Sequence, residues 1–265
     1  VAHEAVVTMA NVAPAVGAVA VPLAPIDVGG PPVSGVSAPY TDPGTADTHT
    51  CTVDYGDGSG VLAGTAADGT CTGPDHAFAE PGVYSVTVVV ADDDGGAGSA
   101  TATAFLVLYD PDGGFVTGGG WIDSPAGAYV PAPALTGRAN FGFVARYKAG
   151  RSVPEGSTEF QFKAADLSFK AAGDFEWLTV SGSGHKAMFR GTGTVNGAGH
   201  YGVTVTAIDA DHTPSTSLDL LRIKIWDKDD GDAVLYDNQL GTACDLSDAG
   251  DPCTALGGGS IKIHK

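Results

Sequence analysis

The sequence predicts an all-β protein made of two domains, and three observations carry that reading. Glycine and proline number 39 and 16 among 265 residues, well above ordinary usage. Asp-, Gly- and Thr-rich turn segments recur along the whole chain, with no long helical period between them. Within the intervening stretches apolar and polar residues alternate, the period of a half-buried strand. A hydrophobic content of 43% argues against disorder, and the length allows two separate cores.

Charge marks the division. The net charge is −18, and every acid is Asp except Glu4, Glu80, Glu155, Glu159 and Glu176. Up to Asp110 there are 13 acids and no base, and from Pro111 onward there are 18 acids and 13 bases, a balance of −5. So acidic a surface repels nucleic acid and anionic lipid and attracts divalent cations, so no nucleic-acid partner and no membrane insertion are expected. No apolar run reaches the roughly eighteen residues of a membrane helix. No signal peptide is present either, and the chain is expected to begin after one.

Taken in order, residues 1–10 have strand character, with Val1, Ala5, Val7 and Met9 on one face. They read as a strand from or toward a neighbouring module, able to add to a sheet edge of another copy and so to build head-to-tail filaments. The first domain is expected over 11–110. It contains Asp54-Tyr55-Gly56-Asp57-Gly58-Ser59, where the aspartates hold a turn through side-chain to backbone bonds. A strand is expected from Gly82 to Val90, with Tyr84, Val86, Val88 and Val90 on one face, followed by the turn Asp92-Asp93-Asp94-Gly95-Gly96.

Residues 111–114 form the linker, and a larger β-sandwich of jelly-roll type is expected over 115–265. Its strands are read at Phe115–Ile122, Asn140–Lys148, Thr158–Lys163, Phe175–Val180, Lys186–Val195, Tyr201–Asp209, Leu220–Trp226, Ala233–Tyr236 and Ser260–His264. Asn196-Gly197 signals a tight hairpin. The four cysteines fall into two close pairs, Cys51 with Cys71 and Cys244 with Cys253, and no zinc spacing occurs. Two disulfides and an oxidising compartment follow.

The turn at Tyr55–Ser59, the pair His76 and Phe78, the run Gly82–Val88 and the acidic turn Asp92–Gly96 together resemble the PKD module, an immunoglobulin-like β-sandwich of surface and secreted proteins. The resemblance implies a spacer, linker or adhesive role. The segments Phe115–Ile122, Ala139–Val144, Thr158–Lys163, Arg222–Asp232 and Gly257–Lys265 resemble the β-domain that accompanies PKD repeats in secreted bacterial proteins, to which no catalytic activity attaches.

No nucleophile elbow, metalloprotease helix or phosphate-binding loop occurs, so no catalytic residues and no enzyme activity are expected, a hydrolase being the minor alternative. His185 and His200 flank a hairpin, either as a metal pair or as ordinary surface residues. Calcium is the expected cofactor. Asp227, Asp229, Asp230 and Asp232 gather hard oxygen donors in one turn, though without EF-hand spacing, and the other reading is a solvated acidic turn. Asp92 and Asp94, with Asp93 between them, form a second candidate, since some PKD modules hold calcium near their strand ends, and here too the other reading is a solvated acidic turn. Trp121, Tyr129, Tyr147, Trp177 and Trp226 are core residues or, where exposed, stacking platforms for a polysaccharide. The bases Arg138, Arg146, Lys148, Arg151, Lys163 and Lys170 either rim such a site or form a solvated face. The function expected is therefore a secreted, extracellular or cell-surface structural or adhesive protein whose partners are its own copies or neighbouring modules. The alternative is a carbohydrate-binding accessory module of a larger enzyme.

Overall fold

The computed structural model describes residues 10–22, 26–44, 46–80, 82–102, 106–109, 112, 114–148, 150–212 and 216–264. The strand expected over residues 1–10 lies outside the described residues apart from Ala10, as do Pro111 and Gly113 of the expected linker. The chain is all-β and divides into two compact units. The first comprises residues 1–24, 31–78 and 84–106, and the second residues 25–30, 79–83 and 107–265. No helix among the described residues is long and apolar enough to cross a membrane.

Among the described residues, eleven short strands precede residue 110. They are β1 (Ala15–Val16), β2 (Ile26–Asp27), β3 (Ser37–Thr41), β4 (His49–Asp54), β5 (Val61–Ala63), β6 (Thr65–Ala67), β7 (Thr70–Thr72), β8 (Gly82–Tyr84), β9 (Thr87–Asp92), β10 (Ala97–Thr101) and β11 (Leu106–Tyr109). Two four-stranded sheets, β1-β3-β7-β6 and β10-β9-β4-β5, form the sandwich of the first unit. Their inward positions alternate as a strand's must: Val53 on β4 and Val88 and Val90 on β9 are wholly buried. The Cys51–Cys71 disulfide joins β4 of one sheet to β7 of the other, with Cα atoms 5.9 Å apart. Gly64, where the chain crosses from β5 to β6, packs on that bridge. A Cβ there would lie 2.8 Å from the Cys51 sulfur, so only glycine fits.

The stretch Gly82–Val90 does not form one strand. It breaks at Ser85, where β8 leaves the small sheet β2-β11-β8 and β9 enters the sandwich. Gly56 meets the chain at this break: it sits at φ 75°, and a Cβ there would lie 2.6 Å from the Ser85 carbonyl oxygen. The turn that carries Gly56 is built as expected. Asp54 accepts the Gly56 N–H at 2.8 Å and Asp57 accepts that of Ser59 at 3.0 Å. Behind it Tyr55 is fully buried, stacked on His76 at 4.5 Å, and donates its hydroxyl to the Pro74 carbonyl. His76 in turn meets Asp57 at 2.7 Å.

The second unit adds β12 (Phe115–Ser124), β13 (Gly137–Arg146), β14 (Glu155–Phe162), β15 (Leu167–Asp174), β16 (Trp177–Val180), β17 (Lys186–Val195), β18 (Ala198–Ile208), β19 (Leu220–Asp227), β20 (Ala233–Asp237), β21 (Thr254–Ala255) and β22 (Gly258–His264). They make one eleven-stranded sheet, whose main path runs β20-β19-β18-β17-β15-β14-β13-β12-β22. Neighbours on that path are mostly neighbours in sequence. This is an antiparallel meander, not the pair of Greek keys of the expected jelly roll. The sheet curls around a single core in which Phe141, Phe160, Phe169, Phe189, Val205, Ile223 and Ile261 all share. The hairpin at Asn196-Gly197 has positive φ at both residues, 50° and 79°, as a two-residue turn with the right twist requires.

The outer face of β19 is covered as well. Arg222, only 3% exposed, grips Asp237 through two nitrogens at 3.1 and 2.7 Å and donates to the Ser247 and Leu246 carbonyls at 2.6 and 3.1 Å. Those carbonyls belong to the loop closed by the Cys244–Cys253 disulfide. Lys224 to Asp248 and Lys186 to Asp251 tie down the same loop at 2.5 and 2.7 Å.

Candidate metal centre

Three aspartates meet at one end of the first unit's sandwich. Asp42 follows β3, Asp92 ends β9, and Asp47 lies in the loop that leads into β4. One carboxylate oxygen from each lies within 4.8 Å of the others. The backbone prepares this meeting. Asp92 is buried at the start of the β9–β10 turn, where its carboxylate accepts the N–H groups of Asp94 and Gly96 at 3.0 and 2.7 Å and the side-chain amide of Asn11 at 3.0 Å. Asp42 accepts the Gly44 N–H at 2.8 Å and faces His49 at 2.9 Å. Gly44 leaves room for the third member, since a Cβ there would lie 1.9 Å from an Asp47 carboxylate oxygen.

The electrostatics of the three differ. Hydrogen bonds from His49 and from Gly44 hold Asp42 below the ordinary aspartate range. Asn11 and the turn amides do the same for Asp92. Asp47 is pushed the other way, by desolvation and then by the charges of Asp42, Asp94, Asp93 and Asp92. Its carboxylate has no hydrogen-bond donor among the described residues. A pocket of about 190 Å³ opens beside it, lined by Ala10, Asn11, Val12, Pro43, Gly44, Asp47 and Asp94. Hard oxygen donors converging beside His49, in a unit whose sequence has no lysine or arginine, and one of them destabilised by its neighbours, fit a calcium ion whose remaining positions water completes.

The expected candidates fare unequally. Asp92 belongs to the cluster and Asp94 lines its pocket, but Asp42 and Asp47 were not among the expected ligands. The signal for them was the spacing Asp42-Pro43-Gly44 to Asp47, a loop that turns two acids toward each other. Asp227, Asp229, Asp230 and Asp232 do not converge. Among the described residues only Asp42, Asp47 and Asp92 form such a group. The turn between β19 and β20 spreads its carboxylates into solvent: Asp227 accepts the Asp229 N–H at 2.9 Å, and Asp229, Asp230 and Asp232 are exposed. This is the solvated acidic turn.

The aromatic candidates are mostly structural. Trp177 and Trp226 are each 5% exposed, so neither offers a face to a sugar, and Arg190 lies over the Trp226 ring at 4.7 Å. Tyr147 donates its hydroxyl to the Leu178 carbonyl at 3.0 Å, and Tyr129 packs edge-on to Phe162, both against the core. Trp121, half-buried, lies under the Arg138 guanidinium at 4.5 Å. Much of the basic band is spent on ion pairs: Arg146 and Lys148 with Glu155, Arg151 with Asp174, Lys170 with Glu159. His185 and His200 take separate partners, the serines Ser181 and Ser183 for the first and Asp229 for the second.

Comparison with known families adds one match. The PKD domain model covers residues 25–107. That segment holds the inter-sheet disulfide, the Tyr55–His76 stack and all three aspartates. No curated protein and no solved structure matches the chain. The PKD match and the two disulfides are consistent with an extracellular protein.

Proposed function

We propose that the chain is a non-catalytic structural or adhesive protein of the extracellular space, in which the PKD unit is a spacer stiffened by calcium. The convergence of Asp42, Asp47 and Asp92 beside an open pocket supports this reading. Ala10, Asn11 and Val12 form one wall of that pocket, and Asn11 donates to Asp92. An ion held there ties the stretch through which the chain enters the unit to the strand ends of both sheets. The partners on this reading are neighbouring modules or other copies.

Thermal melts of the full chain in calcium and in chelator test the proposal. An ion that binds only the native state at one hundred times its Kd adds about 2.7 kcal/mol, a rise of several degrees. Asp47→Asn should abolish the rise. Superimposable melts in the two buffers would overturn the assignment.

A further inference from the structure

The geometry points to a binding groove for a neutral polysaccharide on the outer face of the second unit, lined by β13 and β14 and bordered by β12. Its floor is glycine. Gly119 and Gly142 stand opposite each other in the register of β12 and β13. Neither has positive φ, and a Cβ added to either would meet no atom within 4 Å. Backbone conformation and packing therefore do not call for glycine at these two positions, in contrast with Gly118 next to them, where a Cβ would strike the Phe143 ring at 2.3 Å. Glycine inside a strand weakens it and marks places where something approaches the backbone closely. Two facing glycines clear a strip about 10 Å wide along the sheet, the width of two strand spacings.

The walls of this strip are polar and electrically balanced. The groove has a volume of about 430 Å³ and is lined by Asn140, Phe141, Gly142, Ser157, Glu159 and Gln161. The side-chain amide of Gln161 and the hydroxyl of Ser157 have no hydrogen-bond partner among the described residues. Asn140 accepts from Arg138 at 3.2 Å, which leaves its own amide hydrogens to donate. Glu159 is neutralised by Lys170 at 3.2 Å. On the Asn140 side the row continues into Trp121, its register partner on β12. The Trp121 ring is held by Arg138 and by the backbone at Gly257, where a Cβ would lie 2.1 Å from it. It forms a rigid bank rather than a free platform.

Amides, a hydroxyl and a paired carboxylate offer both donors and acceptors at close spacing without net charge. Sugar rings carrying vicinal hydroxyls match that pattern. An anionic polymer would meet no unpaired cation in the groove lining and would face a chain of net charge −18.

Affinity electrophoresis of the full chain through gels containing a soluble β-glucan, a mannan or an α-glucan tests the inference, with polygalacturonate as the anionic control. Retardation is expected in at least one neutral gel and not in the control. Gly142→Thr fills the floor with a good strand former, and Gln161→Ala removes an amide from the wall. Each should weaken retardation about tenfold or more while leaving the melting temperature unchanged or, for Gly142→Thr, raised. No retardation in any neutral gel would overturn the inference, as would retardation that both variants keep. Self-association by sedimentation that Gly142→Thr abolishes, without glycan binding, would show the face to be a contact between copies and would equally overturn it.

Discussion

The carboxylate of Asp219 accepts the backbone N–H of Ile261 at 2.6 Å, while its other oxygen accepts that of Ala210 at 2.9 Å. Asp209 repeats the arrangement two residues along β22, accepting the Ile263 N–H at 3.0 Å. On its other side β22 pairs with β12. Side-chain carboxylates thus take the place of a neighbouring strand. They satisfy amides that would otherwise form an open edge able to recruit another chain.

Asp219→Ala should leave two backbone donors unpaired and cost about 1–3 kcal/mol per buried group left so. Thermal unfolding of the second unit reads the loss. Faster proteolysis within residues 258–264 than in the parent would locate it. An unchanged melt would show that water replaces the carboxylate at no cost.

Removing the Arg222 side chain should be more damaging. Asp237 is 2% exposed and would become a buried charge without its partner. Breaking a buried pair from one side costs about 3–5 kcal/mol. Arg222→Met should therefore lower the denaturant midpoint strongly, and Arg222→Met with Asp237→Leu should recover much of it. Failure of the double variant to recover would point to the lost carbonyl contacts with Ser247 and Leu246 as the main term.

The acidic centre predicts a pH profile whose sign depends on calcium. Asp42 and Asp92 are held below the ordinary value of 3.8, so the stability they contribute is present above that pH and lost as pH falls through their lowered values. Asp47 is raised above 3.8, so its penalty grows as pH rises through its value and is relieved by protonation. In chelator the first unit should therefore become more stable on mild acidification toward pH 4, then less stable below it. Calcium, or Asp47→Asn, should remove the rise. Melts of the two proteins across pH 3 to 6 check this, and a parent profile in chelator that falls monotonically from pH 6 would contradict it.

Peptide mapping without reductant should recover Cys51 linked to Cys71 and Cys244 linked to Cys253, with no link between units. Replacing Cys51 and Cys71 together by alanine should cost about 3 kcal/mol for a loop of twenty residues. Any recovery of Cys71 joined to Cys244 would contradict the fold described.

Much of this architecture was legible in the sequence because alternation and turn chemistry are local. Lys186–Val195 was bounded correctly, since Phe189 and its neighbours alternate and Asn196-Gly197 ends the strand. β15 was missed. Leu167, Phe169 and Ala171 do alternate, but Lys170-Ala171-Ala172-Gly173-Asp174 has weak strand character, and its place is set by pairing on both sides with β14 and β17. The meander order is a long-range property that no local pattern encodes. The aspartate cluster was half legible for the same reason. Asp92 and Asp94 sit in one conspicuous run, whereas Asp42 and Asp47 reach it only when β3 and β9 come together. The denser run at 227–232 does not form such a cluster, because density of acids along the chain is not convergence in space.

The pairing of β22 with β12 has a consequence in time. As the chain is made from its N-terminus, strands β12 to β20 can zip in order, each beside a partner just synthesised. β12 must keep its other edge vacant until residues 258–264 arrive, more than 130 positions later. During that interval the glycine run Gly118-Gly119-Gly120 is an unguarded seat that the seven-residue β22 of any other copy fits as well as its own. At high local concentration, these strands can therefore be exchanged between molecules before either one closes.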